Sequence, residues 1–156
     1  MHLGQMEESL EYFRIYIENI KTTGALSFRM EWIGYALWQN GLIKEAEYYF
    51  NEHINYNNRM NELGRIASTQ RKLTYYDLAR IFAFKGEKDK AYKNLKIFNQ
   101  RNVMFTRFVT GLIDDPFFNS IRDEPEFQQI VKEVEAKHQA EHERVRQWLE
   151  ENDLLQ

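Results

Sequence analysis

Cysteine is absent from the chain, and proline and glycine are scarce, with two and seven residues among 156. The absence of cysteine excludes a disulfide framework and thiolate metal sites, and it favours a reducing, cytoplasmic location. So few prolines and glycines favour long helices over a turn-rich β-fold. The sequence lacks a run of eighteen apolar residues. It begins Met1-His2-Leu3-Gly4-Gln5, without the basic start and apolar core of a secretory signal. We therefore expect a helical protein with no membrane partner.

Charge is distributed unevenly along the chain. The net charge is −3, but residues 123–153 contain ten acidic and four basic residues, a net −6, so the remainder carries +3. Such a small basic excess argues against a nucleic-acid partner, because phosphate binding needs a concentrated basic surface. Five lysines between positions 85 and 96 surround the apolar positions of one helix. We interpret them as its solvated face.

The most informative pattern occurs three times: a glycine, four residues, a small residue, three residues, and a large apolar residue. Its copies are Gly4, Ser9, Phe13; Gly41, Ala46, Phe50; and Gly86, Ala91, Leu95. A matching helix precedes the second and third copies, at Met30, Ile33, Gly34, Leu37 and at Tyr75, Leu78, Ala79, Phe82. This order resembles the helix–turn–helix of a tetratricopeptide repeat, whose small residues let two antiparallel helices approach closely. The resemblance implies an all-α, right-handed solenoid with a surface for protein–protein interaction.

The phasing predicts a single domain, residues 1–156, in four parts. These are a half repeat at 5–22, repeats at 27–62 and 70–100, and a capping segment at 101–156. Residues 64–69 are predicted to form a loop, 116–121 a short helix and 125–150 a long helix. Matching glycines lie 37 and 45 residues apart, against about 34 in a plain repeat. We expect the extra residues to lie between repeats.

The capping segment contains two prolines, each preceded by an acid and followed within two residues by a phenylalanine. Proline suits the first helical position, and an Asp such as Asp115, just before Pro116, can cap free amides. In the long helix, residues at 4-3 spacing predict one seam against the preceding repeat. The seam residues are Phe127, Val131, Val134, His138, Glu141, Val145 and Trp148.

Residues 115–127 are similar to the segment that follows the last repeat in bacterial tetratricopeptide-repeat proteins of the sensor or regulator kind. The likeness covers residues 27–149, and 115–127 are its most specific part. What it implies is an interaction module at the C-terminal end of a signalling or regulatory protein. The resemblance does not identify a ligand.

In such repeats the concave groove is lined by positions 2, 5, 9, 12 and 13 of each first helix. Here these positions hold Phe28, Glu31, Tyr35, Trp38 and Gln39, then Leu73, Tyr76, Arg80, Ala83 and Phe84. Tyr, Trp and Arg often dominate binding energy. The resemblance therefore implies a groove for a peptide or partner protein, formed by Phe28, Glu31, Tyr35, Trp38, Tyr76, Arg80 and Phe84. The alternative is that Trp38 and Phe84 pack internally. A clamp for chaperone carboxylates is not supported, because its Lys and Asn are missing.

The first copy of the pattern has a second helix but no first helix, because only three residues precede Gly4. We expect either further chain upstream or a homodimer that covers the bare face. Tyr12, Ile15 and Tyr16 give the first helix a second apolar flank, which agrees with both options.

An enzymatic alternative centres on His138-Gln139-Ala140-Glu141-His142. It matches the H-x-x-E-H string of inverted zinc peptidases, in which two imidazoles hold zinc and the glutamate acts as base. Zinc needs a third protein ligand, and only 14 residues follow His142. A plain helical surface explains the string, so we expect no enzyme activity, no cofactor and no metal.

Overall fold

The computed structural model describes residues 8, 11–12, 14–19, 30–63, 68–100 and 106–154. Every regular element in these ranges is a helix and none is a strand, which confirms the all-α class. The right-handed solenoid stays a prediction. The chain forms two compact units, unit 1 (Met1–Arg65) and unit 2 (Ile66–Gln156). Within the described ranges, no helix is long and apolar enough to span a bilayer.

Unit 1 contains α1 (Met30–Gln39) and α2 (Ile43–Leu63), and residues 14–19 are also helical. Unit 2 contains α3 (Ser68–Phe84), α4 (Lys88–Gln100), α5 (Thr106–Asp114), a 3₁₀ turn (Pro116–Phe118) and α6 (Pro125–Glu151). The helices α1 and α2 form one antiparallel hairpin, and α3 and α4 form another.

Both hairpins turn at a glycine of the repeating pattern. Gly41 and Gly86 have φ values of 76° and 77°, in the left-handed region that glycine adopts without steric cost. In the first hairpin Leu42 N donates to Leu37 O (3.0 Å), and the equivalent bond in the second is 2.8 Å long. This is the geometry of a Schellman cap, which satisfies helix-end carbonyls. The two turns are therefore equivalent, as their sequence phasing predicts.

Small residues bring the helices of each hairpin together. In unit 1 a Cβ on Gly34 would lie 2.6 Å from Cε1 of Phe50, whose side chain is fully buried. In unit 2 Ala79 and Ala91 are fully buried in one cluster with Leu95. The predicted close approach of the paired helices is confirmed in both hairpins.

Two predicted boundaries differ from the structure, and one helix is missing from the prediction. The helix α3 begins at Ser68, inside the predicted 64–69 loop. The helix α5 was not predicted at all. The predicted short helix at 116–121 is only the 3₁₀ turn Pro116–Phe118, because Asp115 caps that turn at Phe117 N and the chain turns again from Asn119.

The predicted seam of α6 is correct in its first half and wrong in its second. Phe127, Val131 and Val134 are buried, whereas Val145 and Trp148 are 41% and 52% exposed. The helix is longer than the surface on which it packs within unit 2, so the apolar pattern continues past the last buried residue, Val134.

Candidate protein-binding surfaces

The helix α1 presents a row of large aromatic side chains, which we name the aromatic face: Trp32, Tyr35 and Trp38. All three are half-buried. Trp32 and Tyr35 meet edge to face at 5.9 Å, and Trp38 lies 6.4 Å from the ring of the buried Phe50. Tyr and Trp combine large apolar area with a polar atom, and both are enriched in binding hot spots. Trp32 was not among the predicted groove residues.

The other predicted groove residues of unit 1 are placed differently. Glu31 is buried, with Oε2 3.4 Å from Nδ1 of His53, which is also buried. Gln39 is exposed, and Phe28 lies outside the described residues. Glu31 therefore takes part in the interior of the hairpin, because the buried imidazole of α2 faces its carboxylate.

In unit 2 the predicted groove residues Tyr76 and Arg80 are buried and contact another part of the chain. Nε of Arg80 lies 2.6 Å from Oδ2 of Asp115, and the Tyr76 hydroxyl donates to the same oxygen at 3.2 Å. The other carboxylate oxygen, Oδ1, accepts the Phe117 amide at 3.0 Å. One carboxylate thus joins α3 to the 3₁₀ turn through three partners.

Aromatic rings complete this contact. Phe117 packs on the Phe84 ring at 5.4 Å, and its own ring lies 4.5 Å from Cζ of Arg80. Phe118 meets the edge of Tyr76 at 5.7 Å. Both Phe117 and Phe118 are fully buried. We call the side of α3 that carries Tyr76, Arg80 and Phe84 its inner face. We name residues 115–118 the docking segment, because one acid and two phenylalanines of this segment pack on that face.

The environment of Tyr76 holds it in the neutral form. Burial raises the pKa of Tyr76 well above its ordinary value, and the negative charge of Asp115 raises it further, while Arg80 opposes this effect. The neutral hydroxyl is the state that donates to the carboxylate. The buried carboxylate of Asp115 therefore has one cation beside it and accepts two hydrogen bonds, from the Tyr76 hydroxyl and the Phe117 amide.

A second polar contact fixes the start of α6. Glu124 precedes Pro125 but caps no amide with its side chain. Its carboxylate instead accepts from the Tyr92 hydroxyl at 2.6 Å and from Lys88. Hydrogen bonds from Lys88 and Tyr92 lower the pKa of Glu124, and burial together with the bond to Glu124 raises that of Tyr92.

The structure thus places five of the seven predicted groove residues in two groups. Tyr35 and Trp38 lie on the half-buried aromatic face of α1. Tyr76, Arg80 and Phe84 lie under the docking segment of the same chain. A role of the second group in partner binding stays a prediction, and it requires the docking segment to leave. The acid and aromatics at 115–118 were visible in the sequence, but their distance of 35 residues from Arg80 hid the pairing.

The H-x-x-E-H string lies on the exposed part of α6. The His138 and His142 rings are 5.8 Å apart, as expected one helical turn from each other. Glu141, the residue in the base position, accepts from Nε of Arg144 at 2.7 Å, and this bond lowers the pKa of Glu141. Across the part of the chain that the structure describes, no group of three or more His, Asp or Glu side chains is placed to hold a metal.

Unit 2 also has an open groove between α5 and α6, with a volume of about 510 Å³. Its lining residues are Val109, Lys132, Glu135, Ala136, His138 and Gln139. The groove could not be predicted from the sequence, because one of its walls is the unpredicted helix α5.

Comparison with models of known protein families, with curated proteins and with solved structures finds no match.

Proposed function

We propose that the chain is a non-enzymatic protein-interaction scaffold that binds a peptide segment of a partner protein along the aromatic face of α1. The observation that supports this proposal most directly is the pair of matched faces in the two hairpins. In unit 2 the docking segment of the same chain packs on the inner face of α3. In unit 1 the corresponding face displays half-buried Trp and Tyr side chains.

The matched positions explain the different surfaces. Tyr35 in α1 corresponds to Arg80 in α3, and Trp38 corresponds to Ala83. Ala83 is small and fully buried, and its carbonyl oxygen accepts from Ser120 Oγ at 2.6 Å. The small side chain leaves this carbonyl within reach of the Ser120 hydroxyl. At the matched position α1 carries Trp38, a half-buried side chain with a broad apolar surface.

The docking segment indicates the chemistry that such a face accepts. It offers an acid followed by two phenylalanines, and the receiving helix supplies Tyr76 and Arg80. The face of unit 1 has aromatic groups but no arginine at the matched position. We therefore infer a ligand segment rich in apolar or aromatic side chains, held by ring contacts in the manner of hot-spot residues.

The test is selection of binding peptides from a random displayed library by the full chain, followed by measured affinities for two variants. Tyr35→Ala should weaken the selected peptides about 30-fold, the effect of losing about 2 kcal/mol of hot-spot energy. The matched control is Tyr48→Ala on α2, because Tyr48 is 60% exposed and lies outside the aromatic face. Equal affinities for wild type and Tyr35→Ala, or no selected peptide, would count against the proposal.

A second candidate function is self-association through the N-terminal helix that the sequence predicts at residues 5–22. It is favoured by Tyr12 and Ile15, which are 66% and 55% exposed in the described part of that helix. Sedimentation of Ile15→Lys against wild type tests it, because a charge at the interface should shift the protein to monomer. A monomeric wild type would exclude this function.

A further inference from the structure

The second half of α6 carries no buried side chain. From residue 135 to residue 151 every position is exposed or half-buried, whereas Phe127, Ile130, Val131 and Val134 are buried before it. Seventeen helical residues extend about 25 Å. Two networks of ion pairs support this stretch within the helix itself, from Arg144 to Glu141 and from Arg146 to Glu143 and Glu150.

This exposed half still has an apolar stripe. Val145 and Trp148 follow the phase of Val131 and Val134, at the a and d positions of a seven-residue repeat, after one heptad in which these positions hold the polar residues His138 and Glu141. Val145 is 41% exposed, Trp148 is 52% exposed, and Leu149 beside them is half-buried. A stripe at this spacing is the pattern by which one helix packs along another.

We propose that residues 142–151 pair antiparallel with the same segment of a second copy of the chain. In this arrangement Val145 lies opposite Trp148 of the second copy, and two-fold symmetry repeats the contact. A two-fold interface uses the same surface on both subunits. The proposed partner of this surface is therefore the same surface of the second copy.

Charge complementarity selects this register. With Val145 opposite Trp148, the flanking g positions place Arg144 opposite Glu151 of the second copy, twice. A shift of one heptad in either direction places Arg144 against Arg144 or Glu151 against Glu151. A parallel pair would instead set Arg144 beside Leu149, without an opposite charge. Antiparallel pairing in one register is the arrangement that satisfies both the stripe and the charges.

The size of the surface predicts a weak dimer. The ten residues 142–151 extend about 15 Å, and a helix segment of that length that contacts its partner along one stripe buries far less than the roughly 1,200–2,000 Å² of a stable interface. We therefore expect a dissociation constant of about 100 µM. The dimer should form at high concentration and dissociate on dilution.

The experiment is sedimentation velocity of the full chain from about 5 µM to about 500 µM, a range that brackets the expected constant. Arg144→Glu alone and Glu151→Arg alone should each weaken dimerisation at least tenfold, because each places like charges opposite one another. An equimolar mixture of the two variants should restore dimerisation to within about threefold of wild type. In the mixed dimer both contacts again join opposite charges.

The matched control is Arg146→Glu, on the side of α6 away from the stripe. It loses intrahelical pairs with Glu143 and Glu150 but should leave the dissociation constant unchanged. Circular dichroism confirms that each variant stays helical. A wild type that is monomeric at the highest concentration would overturn the proposal. So would a mixture that stays as weak as its components, or a control that weakens the dimer as much as Arg144→Glu.

Discussion

The two helix hairpins have the same turn but cover their inner faces differently. Gly41 and Gly86 adopt nearly the same φ and close the two turns with equivalent hydrogen bonds. In unit 2 the docking segment covers the first helix and binds Arg80 through Asp115. In unit 1 the inner side of α1 carries the half-buried aromatic face. The turn therefore determines the hairpin, and the side chains of its inner face determine what the hairpin binds.

The two hairpins use different pairs of residues where their helices meet, and in each pair a smaller residue on one helix faces a larger one on the other. Unit 1 pairs the smallest residue, Gly34, with the large ring of Phe50. Unit 2 has Ala79 and Leu95 at the same two pattern positions, both fully buried. A methyl group added on one helix is matched by a smaller side chain on the other. Helix spacing can therefore be conserved while the residues change, because interiors are packed to a fixed density.

The largest expected effect comes from Asp115→Ala. This change removes the carboxylate that pairs with Arg80 and accepts hydrogen bonds from the Tyr76 hydroxyl and the Phe117 amide. It should destabilise unit 2 by about 3–5 kcal/mol, the cost of leaving one partner of a buried ion pair uncompensated. Hydrogen exchange resolved by peptide measures it, with faster exchange expected in α3 and the 3₁₀ turn.

The adjacent acid supplies the control for that experiment. Asp114 is exposed at the end of α5, so Asp114→Ala should leave exchange in α3 unchanged. Exchange in α1 and α2 of unit 1 is the internal reference for each variant. Equal protection in Asp115→Ala and wild type would show that the docking segment is not held by its carboxylate.

The second prediction concerns the compensated helix interface of unit 1. Gly34→Ala places a methyl group 2.6 Å from the Phe50 ring, which is fully buried. We expect a loss of about 2 kcal/mol, since overpacking outweighs the higher helix propensity of alanine. Urea unfolding of the full chain measures the difference.

The matched rescue transfers the residues of unit 2 into unit 1. Adding Phe50→Leu to Gly34→Ala reproduces the Ala79 and Leu95 pair of the second hairpin. The double variant should be more stable than the sum of the single losses predicts, by about 1 kcal/mol or more, because the two sites share one contact. Additive losses would mean that the two residues do not compensate each other.

The third prediction is an alkaline effect centred on Tyr76. Because burial raises the pKa of Tyr76 above its ordinary value of about 10, the unfolded chain loses this proton at lower pH than the folded chain. The stabilisation from Tyr76 is therefore complete below about pH 10 and is lost as pH rises beyond that value. At pH 11 the loss from this residue is on the order of 1 kcal/mol.

A comparison of variants isolates this loss from other alkaline effects. Unfolding free energies are measured at pH 9 and pH 11 for wild type, Tyr76→Phe and Tyr48→Phe. The drop between the two pH values should be smaller by about 1 kcal/mol in Tyr76→Phe, which cannot ionise. Tyr48→Phe is the control, because Tyr48 is 60% exposed. Equal drops in all three proteins would contradict a neutral, buried Tyr76.

Local sequence signals predicted the elements whose formation depends on neighbouring residues. The sequence predicts the glycine turns and the start of α6 at Pro125, and the structure has both. The cap at Asp115 was predicted as well, because its partner, the Phe117 amide, is two residues away. Each of these features follows from contacts within a few residues, which a single sequence displays directly.

Features that depend on distant contacts were not predictable in the same way. Arg80 pairs with Asp115 across 35 residues, so its burial could not be read from the pattern of α3. The seam of α6 was predicted too long, because periodicity indicates a face of the helix but not how much of it finds a partner. Trp32 was missed since its position is not a groove position in the resembling family.

The smallest expected effect tests whether an exposed ion pair contributes to the stability of unit 2. Lys96 Nζ lies 2.7 Å from Glu126 Oε1, but the two side chains are 60% and 46% exposed. Water solvates both partners, so Lys96→Gln should cost less than about 0.5 kcal/mol, and about 1 M salt should erase the difference. Urea unfolding at two salt concentrations measures it. A loss near that of Asp115→Ala would place the stability of unit 2 in its surface charges, whereas a negligible loss would leave the buried carboxylate as the distinguishing contact.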